Sequence, residues 1–367
     1  MRIVIAAWHL KDFNVGIGRY CRNLIEAIAR VDRNNDYEIL MAQGDPPSIS
    51  QPNFKLTRIR FPLFRRHFWE QVSHLLVKPY DVLHFPYDSF LIRKRGKFVA
   101  TIHDLIPELF QSKRFSFKPA RAISSFWMRN RAEKMDQILT DSECSKQDIL
   151  HFLKVPSEKI KVVYLGVEAK FFVTVKHVSV IRRLGIEGDY LLYVGGNSRL
   201  KNPEVVIEAY RRIPETLRKQ YSLVLVGDFS QRPDLKMRVA EKGGEERIVF
   251  TGIVSENDLL QLYRNATLFI FPYLYSGFCL PVLEAMASGV PTIVSNRSSF
   301  PEVAGDAACL VDPEDADTMS IEVEKMLSDT ALQNKCIRKG VERASQFTWE
   351  QTAKGTIEAY QQAVVGY

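Results

Sequence analysis

The segment LFIFPYLYSGFCLPVLEAMASGVPTIVSN, residues 268–296, decides the fold. It opens with the apolar run LFIFPY and closes with PTIVSN, and short apolar runs between turn signals are typical of buried strands. The residues between them, PVLEAMASG, are typical of a helix that ends at a glycine, with a proline following shortly after. A strand, a helix and a second strand in this order predict a βαβ unit, in which the two strands lie parallel.

The same alternation of strands and helices extends along the chain. In the first half the predicted strands are RIVIAA, YEILMA, DVLHFPY, KFVATIHD, QILTDS and IKVVYLG, and GRYCRNLIEAIARV is an amphipathic helix. The pattern loosens from Gly166 to about residue 187, which we interpret as a linker, and then restarts. The sequence therefore predicts an α/β protein with two Rossmann-like, doubly wound domains, residues 1–170 and 171–348, facing each other across a cleft, and a last helix at 349–367.

Composition sets the broad class of protein. Of the 367 residues 46% are hydrophobic, and the five cysteines are scattered and odd in number, which argues against a disulfide framework or a zinc site and for a reducing compartment. No run reaches the ~18–20 apolar residues of a membrane span, and MRIVIAAWHL is interrupted too early for a signal peptide. We expect a cytoplasmic protein, free or peripheral at the inner face of a membrane.

Positive charge is concentrated in the first half of the chain. Residues 1–170 carry 28 Lys and Arg against 18 Asp and Glu, whereas the remainder carries 22 against 25. Two segments, TRIRFPLFRRHFW and FSFKPARAISSFWMRNR, interleave arginine with aromatic residues. This pattern is typical of a surface that meets an anionic partner such as a lipid head group, and equally of helices that pack aromatic rings inward and expose arginine.

The turn NVGIGRY, residues 14–20, is a first candidate for phosphate binding. It follows the first strand and opens the first helix, so Gly16 and Gly18 allow an anion to approach a helix N-terminus closely. Cys21 stands where a dinucleotide fingerprint has its third glycine. The turn therefore fits either a phosphate or a plain strand-to-helix connection.

The turn YVGGNSRLKNP, residues 193–203, is a second candidate. It combines Gly196 and Asn197 with the cations of Arg199 and Lys201. The next helix is predicted to begin at Pro203, with the preceding asparagine as its N-cap. Glycines and cations at a helix start suit a diphosphate, and the alternative is a solvated loop with surface charges.

Two strand ends carry polar side chains. ATIHDLIPELF places His103 and Asp104 at the end of an apolar strand, where a histidine donates a hydrogen bond, transfers a proton, or is only satisfied by a backbone carbonyl. VLHFPYDSF places His84 and Tyr87 in the same way one strand earlier, and a packing role is favoured there.

The loop inside the opening segment carries the remaining candidates. Residues 276–280 form a loop, Pro281 begins a helix, and the free amides of a helix start bind anions. Glu284 lies one turn into that helix among apolar neighbours. A carboxylate there suits the paired hydroxyls of a ribose, and the alternative is a first-turn partner of the helix dipole.

Together these motifs resemble glycosyltransferase family 4. The likeness rests on residues 268–315 and on GIGRYCRNL, TIHDLIP, DSECSKQDI, YVGG with KNP, and FTGIVSENDLLQLYRNA, and it covers nearly the whole chain. The resemblance implies a retaining hexosyltransferase of the GT-B fold, whose closing helix, here FTWEQTAKGTIEAY, crosses back to the first domain. It implies a nucleotide diphosphate sugar as donor, a UDP-sugar preferred over GDP-mannose, and a growing polysaccharide or lipid-linked glycan as acceptor, with no nucleic acid and no cofactor.

The resemblance also assigns roles to single residues. His103, Ser276 and Glu284 form the expected catalytic set, with His103 near the reacting sugar and Glu284 on the ribose. Tyr87 and Asp104 are expected on the acceptor side. The expected donor-binding residues, several of which act through their backbone, are Gly16, Gly18, Gly196, Asn197, Arg199, Lys201, Gly252, Val254, Gly277, Phe278, Cys279, Leu280 and Glu284.

Two residues depart from the family pattern. The family places glutamate where Ser276 stands, and many relatives place arginine where Gly196 stands. A serine forms hydrogen bonds but brings no charge, which leaves sugar choice open and raises the alternative of a sugar-nucleotide-binding partner protein that has lost transfer. Asp315 and Asp317 are superficially like a metal-binding DxD motif, but they sit at a helix start, so we interpret them as partners of the helix dipole and expect no metal.

Overall fold

The computed structural model describes residues 1–12, 16–60, 66–110, 128–241 and 247–366. The chain divides into two compact units, Met1–Gly166 with Thr348–Tyr367, and Val167–Phe347. Each unit is an α/β domain built on one parallel sheet. Among the described residues, no helix is long and apolar enough to cross a membrane.

A seven-stranded parallel sheet forms the centre of the first unit. Its strands are β1 Arg2–Ala6, β2 Asp36–Met41, β3 Phe54–Arg58, β4 Val82–Phe85, β5 Lys97–Thr101, β6 Gln137–Thr140 and β7 Ile160–Val162. Their order across the sheet is β3-β2-β1-β4-β5-β6-β7. Six of these strands are predicted from their apolar runs. The edge strand β3, FKLTR, is not, because it is largely solvent-exposed and has no apolar run.

Five α-helices are described in the first unit. They span Gly16–Val31, Arg66–Ser73, Ile106–Phe110, Glu143–Leu153 and Trp349–Val365. The last of these packs on the first: the rings of Tyr20 and Trp349 lie 6.2 Å apart between centroids. The closing helix therefore belongs to the first unit, as the sequence resemblance implies.

The second unit contains a six-stranded parallel sheet. Its strands are β8 Asp189–Val194, β9 Tyr221–Val226, β10 Ile248–Gly252, β11 Leu268–Phe271, β12 Thr292–Ser295 and β13 Cys309–Val311, in the order β10-β9-β8-β11-β12-β13. The βαβ unit predicted from residues 268–296 is present: β11 and β12 pair in parallel with Phe269 opposite Thr292, joined by the helix Leu280–Ala287.

The helices of the second unit include short elements in the stretch predicted as a linker. They span Val178–Arg183, Pro203–Arg212, Glu215–Gln220, Pro233–Glu241, Glu256–Asn265, Leu280–Ala287, Phe300–Ala304, Ala316–Ser328 and Thr330–Ser345. The linker was predicted to begin at Gly166, where the chain does divide, but part of residues 166–187 packs on the second unit. Phe171 is 1% exposed, and the Arg264 guanidinium donates to the backbone carbonyls of Lys170 and Val175. These contacts tie an aperiodic stretch onto the second unit.

Strand order locates the ligand-binding edge of each sheet. The order reverses between β1 and β4 in the first unit and between β8 and β11 in the second. In open parallel sheets, ligands bind beyond the carboxyl ends of the strands at such a reversal. The loops after β1, β4, β5 and β6, and those after β8, β9, β11 and β12, are therefore the places to look for a site.

Candidate functional site

The ends of β8 and β9 approach each other closely in the second unit. A Cβ atom on Gly227 would lie 2.3 Å from the carbonyl oxygen of Gly195, so a side chain at 227 is sterically excluded. Gly196 has φ +147°, a conformation that favours glycine. The amide of Gly227 also donates to the carbonyl of Gly252 at 3.0 Å, which ties in the end of β10. Backbone rather than side chains therefore lines this part of the edge.

Lys201 places a cation beside this glycine turn. Its ammonium is half-buried and donates to the Gly195 carbonyl at 3.4 Å, and the Tyr193 hydroxyl fixes the backbone by donating to the Lys201 carbonyl at 2.9 Å. Burial lowers the pKa of this ammonium. Within the described ranges the ammonium forms no ion pair with a carboxylate, so a desolvated positive charge is left available for an anion.

The other predicted residues of this loop differ in what they do. Arg199 is exposed and forms no side-chain hydrogen bond within the described part of the chain. Asn197 joins two loops, since its Nδ2 donates to Asp228 Oδ2 at 2.9 Å and its Oδ1 accepts from the Gln231 amide at 3.1 Å. In this structure the Asn197 side chain positions the loop, and its donor-binding role stays a prediction.

The predicted cap at Asn202 is wrong in its side-chain detail. The helix does begin at Pro203 with Asn202 in the N-cap position, but the residue has φ +52° and its side chain makes no capping bond. Its Nδ2 instead donates to the carbonyls of Pro313, at 2.5 Å, and Pro272, at 3.4 Å. Crosslinking the loops at the sheet edge takes priority over capping.

The loop after β11 is held against the loop after β8. The Leu274 amide donates to the Leu200 carbonyl at 2.8 Å, and the Tyr273 hydroxyl donates to the Val194 carbonyl at 2.8 Å. Ser276 turns its hydroxyl toward its own loop and donates to the Phe278 carbonyl. The loop after β11, which is predicted to bind the donor, is therefore held in position beside the turn that carries Lys201.

The side chains that follow in this loop point into the protein. Gly277 is buried, the Phe278 ring lies 6.1 Å from the Phe347 ring, and Cys279 is 1% exposed, so burial raises the pKa of its thiol well above the usual value. Neither the ring nor the thiol is placed to react. Any contribution of residues 277–279 to ligand binding therefore comes from the backbone, and Leu280 is half-buried at the first position of the helix.

Glu284 lies on the helix Leu280–Ala287 and is 2% exposed. The helix begins at Leu280, so Glu284 is in its second turn, beyond the reach of a simple dipole partner. Its helix neighbours Val282, Leu283 and Ala285 are each 0% exposed. A carboxylate at such a position is retained only where polar groups meet it, which excludes a solvated surface role.

Val254 stands in the connection after β10 and is half-buried, next to Ile253, which is 82% exposed. The Ser255 side chain then caps the helix Glu256–Asn265 by accepting from the Asp258 amide at 3.1 Å. The predicted nucleobase contacts of Gly252 and Val254 thus fall on the same edge as the glycine turn.

His103 is the centre of the candidate site in the first unit. Its Nδ1 donates to Asp141 Oδ2 at 2.6 Å, and its Nε2 donates to the Pro86 carbonyl at 3.4 Å. These partners follow β6 and β4, the neighbours of β5 in the sheet. Burial alone lowers the pKa of His103, but the charge and hydrogen bond of Asp141 outweigh it, so the net pKa is raised. Both ring nitrogens face acceptor oxygens, and the raised pKa favours the charged imidazolium form.

Four buried polar side chains support the back of His103. His84 Nδ1 pairs with the Tyr360 hydroxyl at 2.7 Å, His84 Nε2 with the Thr101 hydroxyl at 2.9 Å, and Thr101 with the Tyr20 hydroxyl at 3.2 Å. The Tyr20 ring meets the His103 ring edge-on, with 4.6 Å between centroids. Burial, and secondarily the charge of His103, lowers the pKa of His84 to about 3, so this residue stays neutral. The burial of His84 and its two hydrogen bonds are consistent with the packing role favoured from the sequence.

Sequence reasoning missed Asp141, which fixes the charge of His103. The available signal was its position directly after the strand β6, at the same sheet edge as His103. Asp104 is half-buried, accepts from the Ile106 amide at 3.0 Å, and has a pKa raised by burial.

The remaining predicted residues of the first unit occupy contrasting surroundings. Gly16 is exposed at the first position of its helix, with open space where a Cβ would lie, and Gly18 is buried. Tyr87 is 1% exposed, with the Arg66 guanidinium 5.2 Å from its ring centroid. An acceptor role for Tyr87 stays a prediction, because its side chain presents no surface here. Residues 61–65 and 115–127 of the two basic aromatic segments lie outside the described residues.

The acidic pair after β13 has a structural role. Asp315 caps the helix Ala316–Ser328 by accepting from the Thr318 amide at 3.0 Å, and Asp317 pairs with Arg212 at 2.7 Å. The interpretation of these residues as helix-start acids is consistent with this geometry.

Two family profiles match the chain in succession. The profile described as Glycosyltransferase Family 4 matches residues 15–171, and that described as Glycosyl transferases group 1 matches residues 181–343. Together they span most of both units.

Relatives of similar length are found among characterised proteins and solved structures. O-antigen chain mannosyltransferase B of Escherichia coli is 28% identical over 381 residues, covering 98% of this chain and 99% of that protein. The fold of sucrose-phosphate synthase from Thermosynechococcus elongatus superposes with a TM-score of 0.76 at 22% identity, covering 99% of this chain and 98% of that one. Anabaena HepE in complex with UDP-glucose superposes with a TM-score of 0.71 at 16% identity, covering 98% and 99% of the two chains.

Proposed function

Because the chain belongs to glycosyltransferase family 4, we propose that it transfers a mannose-type hexose from a nucleoside diphosphate sugar to a hydroxyl of a growing polysaccharide or lipid-linked glycan. The observation that carries the proposal is the desolvated ammonium of Lys201 beside the glycine turn after β8. The loop that leads to the buried carboxylate of Glu284 is bonded to that turn through Leu274 and Leu200. A cation and a carboxylate on one sheet edge suit a diphosphate and a ribose.

In the proposed donor site, Lys201 neutralises the diphosphate and Glu284 accepts hydrogen bonds from the ribose hydroxyls. The backbone of residues 277–280 contributes amides at a helix start, and residues Gly252 and Val254 meet the nucleobase. Preorganised positive charge at the diphosphate stabilises the leaving group as its bond to the sugar breaks.

His103 serves the transfer step in this proposal. Its Nε2–H bond to the Pro86 carbonyl is long, at 3.4 Å, so this proton is available to a sugar hydroxyl when a ligand is bound. Asp141 favours the charged form of the ring and fixes its orientation, and the Tyr20 ring packs against it.

The proposed reaction needs no protein nucleophile. The bond between the anomeric carbon and the donor phosphate oxygen breaks, the electron pair leaves with the nucleoside diphosphate, and the acceptor hydroxyl oxygen bonds to the same carbon. The hydroxyl proton passes to the leaving phosphate oxygen on the same face of the sugar. This path retains the anomeric configuration, which an NMR assignment of the product linkage checks.

The choice of a mannose-type sugar rests on a relative. Full-length similarity to a mannosyltransferase at 28% identity weighs more than a structural likeness to a UDP-glucose complex at 16%. The mannosyl donor is therefore favoured over the UDP-sugar that the sequence alone suggested.

Incubation with a donor panel tests the proposal. The purified protein is given GDP-mannose, UDP-glucose or UDP-galactose with water as acceptor, and release of nucleoside diphosphate is measured. We expect release from GDP-mannose above the rate without protein. Release only from a UDP-hexose would reassign the sugar and keep the transfer. Binding without release from any donor would favour the inactive partner protein, and neither binding nor release would remove the function.

Replacing Lys201 with methionine should weaken binding of the free nucleoside diphosphate by about 10-fold to 100-fold, the range of a lost charge-assisted hydrogen bond. The fold should keep its thermal stability, because the variant removes a desolvated charge and leaves behind no charged partner, only the Gly195 carbonyl at 3.4 Å. Calorimetric titration measures the affinity, and Lys219→Met, at an exposed lysine paired with Glu215, is the matched control. Equal affinities in the two variants would remove Lys201 from the site.

A further inference from the structure

The turn at residues 296–299 is hydrogen-bonded through serine hydroxyls to the loop after β11, which is predicted to bind the donor. Ser298 Oγ accepts from the Ser276 amide at 3.2 Å and donates to the Ser276 carbonyl at 2.7 Å. A hydroxyl donates one hydrogen bond and accepts two, so one side chain engages both backbone polar groups of Ser276. Ser299, which is 0% exposed, donates to the same carbonyl at 2.9 Å. The position of Ser276 is therefore set by this turn.

The backbone of Ser298 is unusual. Its φ is +55°, in the left-handed region that residues other than glycine seldom adopt. Such conformations persist only where the surroundings impose them. The turn is anchored by Arg297, whose guanidinium pairs with Asp312 at 2.8 Å and with Glu314 at 2.7 Å. These ion pairs connect the turn to the loop after β13 while the Ser298 hydroxyl reaches Ser276.

The hydrogen bonds to Ser276 also constrain the proposed donor site. Ser276 directly precedes the backbone of residues 277–280 and the helix that carries Glu284. Its own hydroxyl donates to the Phe278 carbonyl, so it too acts on the loop. A displacement of Ser276 would therefore displace the backbone amides of residues 277–280, and with them the part of the loop that is proposed to face the sugar.

We propose that Ser298 is a positioning residue that sets the sugar selectivity of the donor site. It does so through its two hydrogen bonds to the Ser276 backbone, which we call the clamp. This inference rests on the proposed donor function. The clamp fixes the backbone of the loop through neutral hydroxyl groups. A glutamate at 276 loses the bond to the Phe278 carbonyl and brings a carboxylate that competes for the Ser298 hydroxyl, so the two positions are coupled.

Hydrogen exchange tests the clamp without requiring activity. Ser298→Gly removes the hydroxyl and suits the left-handed backbone, so it should fold, and Ser298→Ala removes the hydroxyl alone. In both, the backbone amides of residues 274–280 should exchange about 3-fold to 10-fold faster than in the wild type, the range of one lost hydrogen bond. Ser345→Ala, whose hydroxyl donates to Glu342 within its own helix, should leave these amides unchanged. Unchanged exchange in both Ser298 variants overturns the clamp.

Ligand titration tests the selectivity. In Ser298→Gly, the affinity for GDP-mannose should fall about 3-fold to 10-fold relative to that for free GDP, because the clamp positions the part of the loop that is proposed to face the sugar. Ser276→Glu should alter the ratio of the affinities for GDP-mannose and GDP-glucose. When Ser276→Glu is combined with Ser298→Gly, this ratio should change by a different factor. Equal losses for GDP and GDP-mannose, or additive effects, overturn the selectivity while the donor function stands. A wild-type protein that binds no sugar nucleotide overturns the function as well.

Discussion

Replacing His103 with alanine should lower kcat by about 10²-fold to 10⁴-fold, the usual contribution of a group that transfers or shares a proton in the transition state. Donor affinity should change little, because the proposed diphosphate and ribose contacts lie on the second unit. The reason for the large effect on kcat is the charge of the ring, which Asp141 maintains at 2.6 Å. Steady-state kinetics with the donor identified by the panel measure both parameters. His151→Ala, at an exposed histidine of the helix Glu143–Leu153, is the control.

The pH profile separates a charged His103 from a merely structural one. If the imidazolium is the active form, activity falls as pH rises through the raised pKa of His103. Asp141→Asn removes the charge that raises this pKa, so the falling limb should move to lower pH. An unchanged limb in Asp141→Asn, or full turnover in His103→Ala, contradicts the assignment.

The same pair makes a contribution to stability with a defined sign. The pKa of His103 in the folded protein lies above the unfolded value of about 6.5. The stabilisation is therefore complete below about pH 6.5 and is lost as the pH rises through the folded pKa. Asp141→Asn should make the free energy of unfolding less dependent on pH across this window.

Strand positions were predictable because parallel strands buried on both faces are continuous apolar runs. The inner strands of each sheet follow that rule, whereas the edge strands β7, β10 and β13 are only partly buried and were predictable from their apolar runs alone. The edge strand β3 breaks it, because its lysine and arginine face solvent on a single-neighbour edge. The stretch around Phe171 was hidden for another reason: it has short helical turns without periodicity, and its packing depends on Arg264, far away in sequence.

A site residue was predictable where a polar side chain directly follows a strand. A pair of interacting residues was less predictable where the two follow different strands. His103 stands out by itself, whereas its partner Asp141 becomes informative only once β5 and β6 are known to be neighbours. The clamp of Ser298 on Ser276 depends on a left-handed backbone conformation and on two hydrogen bonds of the hydroxyl to a residue 22 positions away in the sequence. No local sequence pattern indicates either feature. Glu284 was suggested by a lone acid among apolar residues, and its burial agrees with that signal.

Replacing Glu284 with glutamine should weaken binding of the nucleoside diphosphate by about 10-fold to 100-fold, the range for a lost hydrogen bond to a charged group. Glutamine keeps the shape of the side chain but exchanges one acceptor oxygen for an NH2 donor, so it cannot accept from both ribose hydroxyls in the same way. Folding should be retained, because the change removes a buried charge from a carboxylate that is 2% exposed. Glu208→Gln, at an exposed glutamate paired with Arg212 in the same unit, is the matched control.

A deoxynucleotide series identifies the group that Glu284 binds. If its carboxylate holds the ribose, the wild type should bind 2′-deoxy and 3′-deoxy forms of the nucleoside diphosphate more weakly than the ribose form. Glu284→Gln should lose most of that discrimination, since the deoxy ligands lack the hydroxyl whose partner has been altered. The two losses then fail to add, and the shortfall is the coupling between Glu284 and the hydroxyl. Additive losses would mean that Glu284 is buried for the structure of its helix, and the ribose would have to be held by another part of the sheet edge.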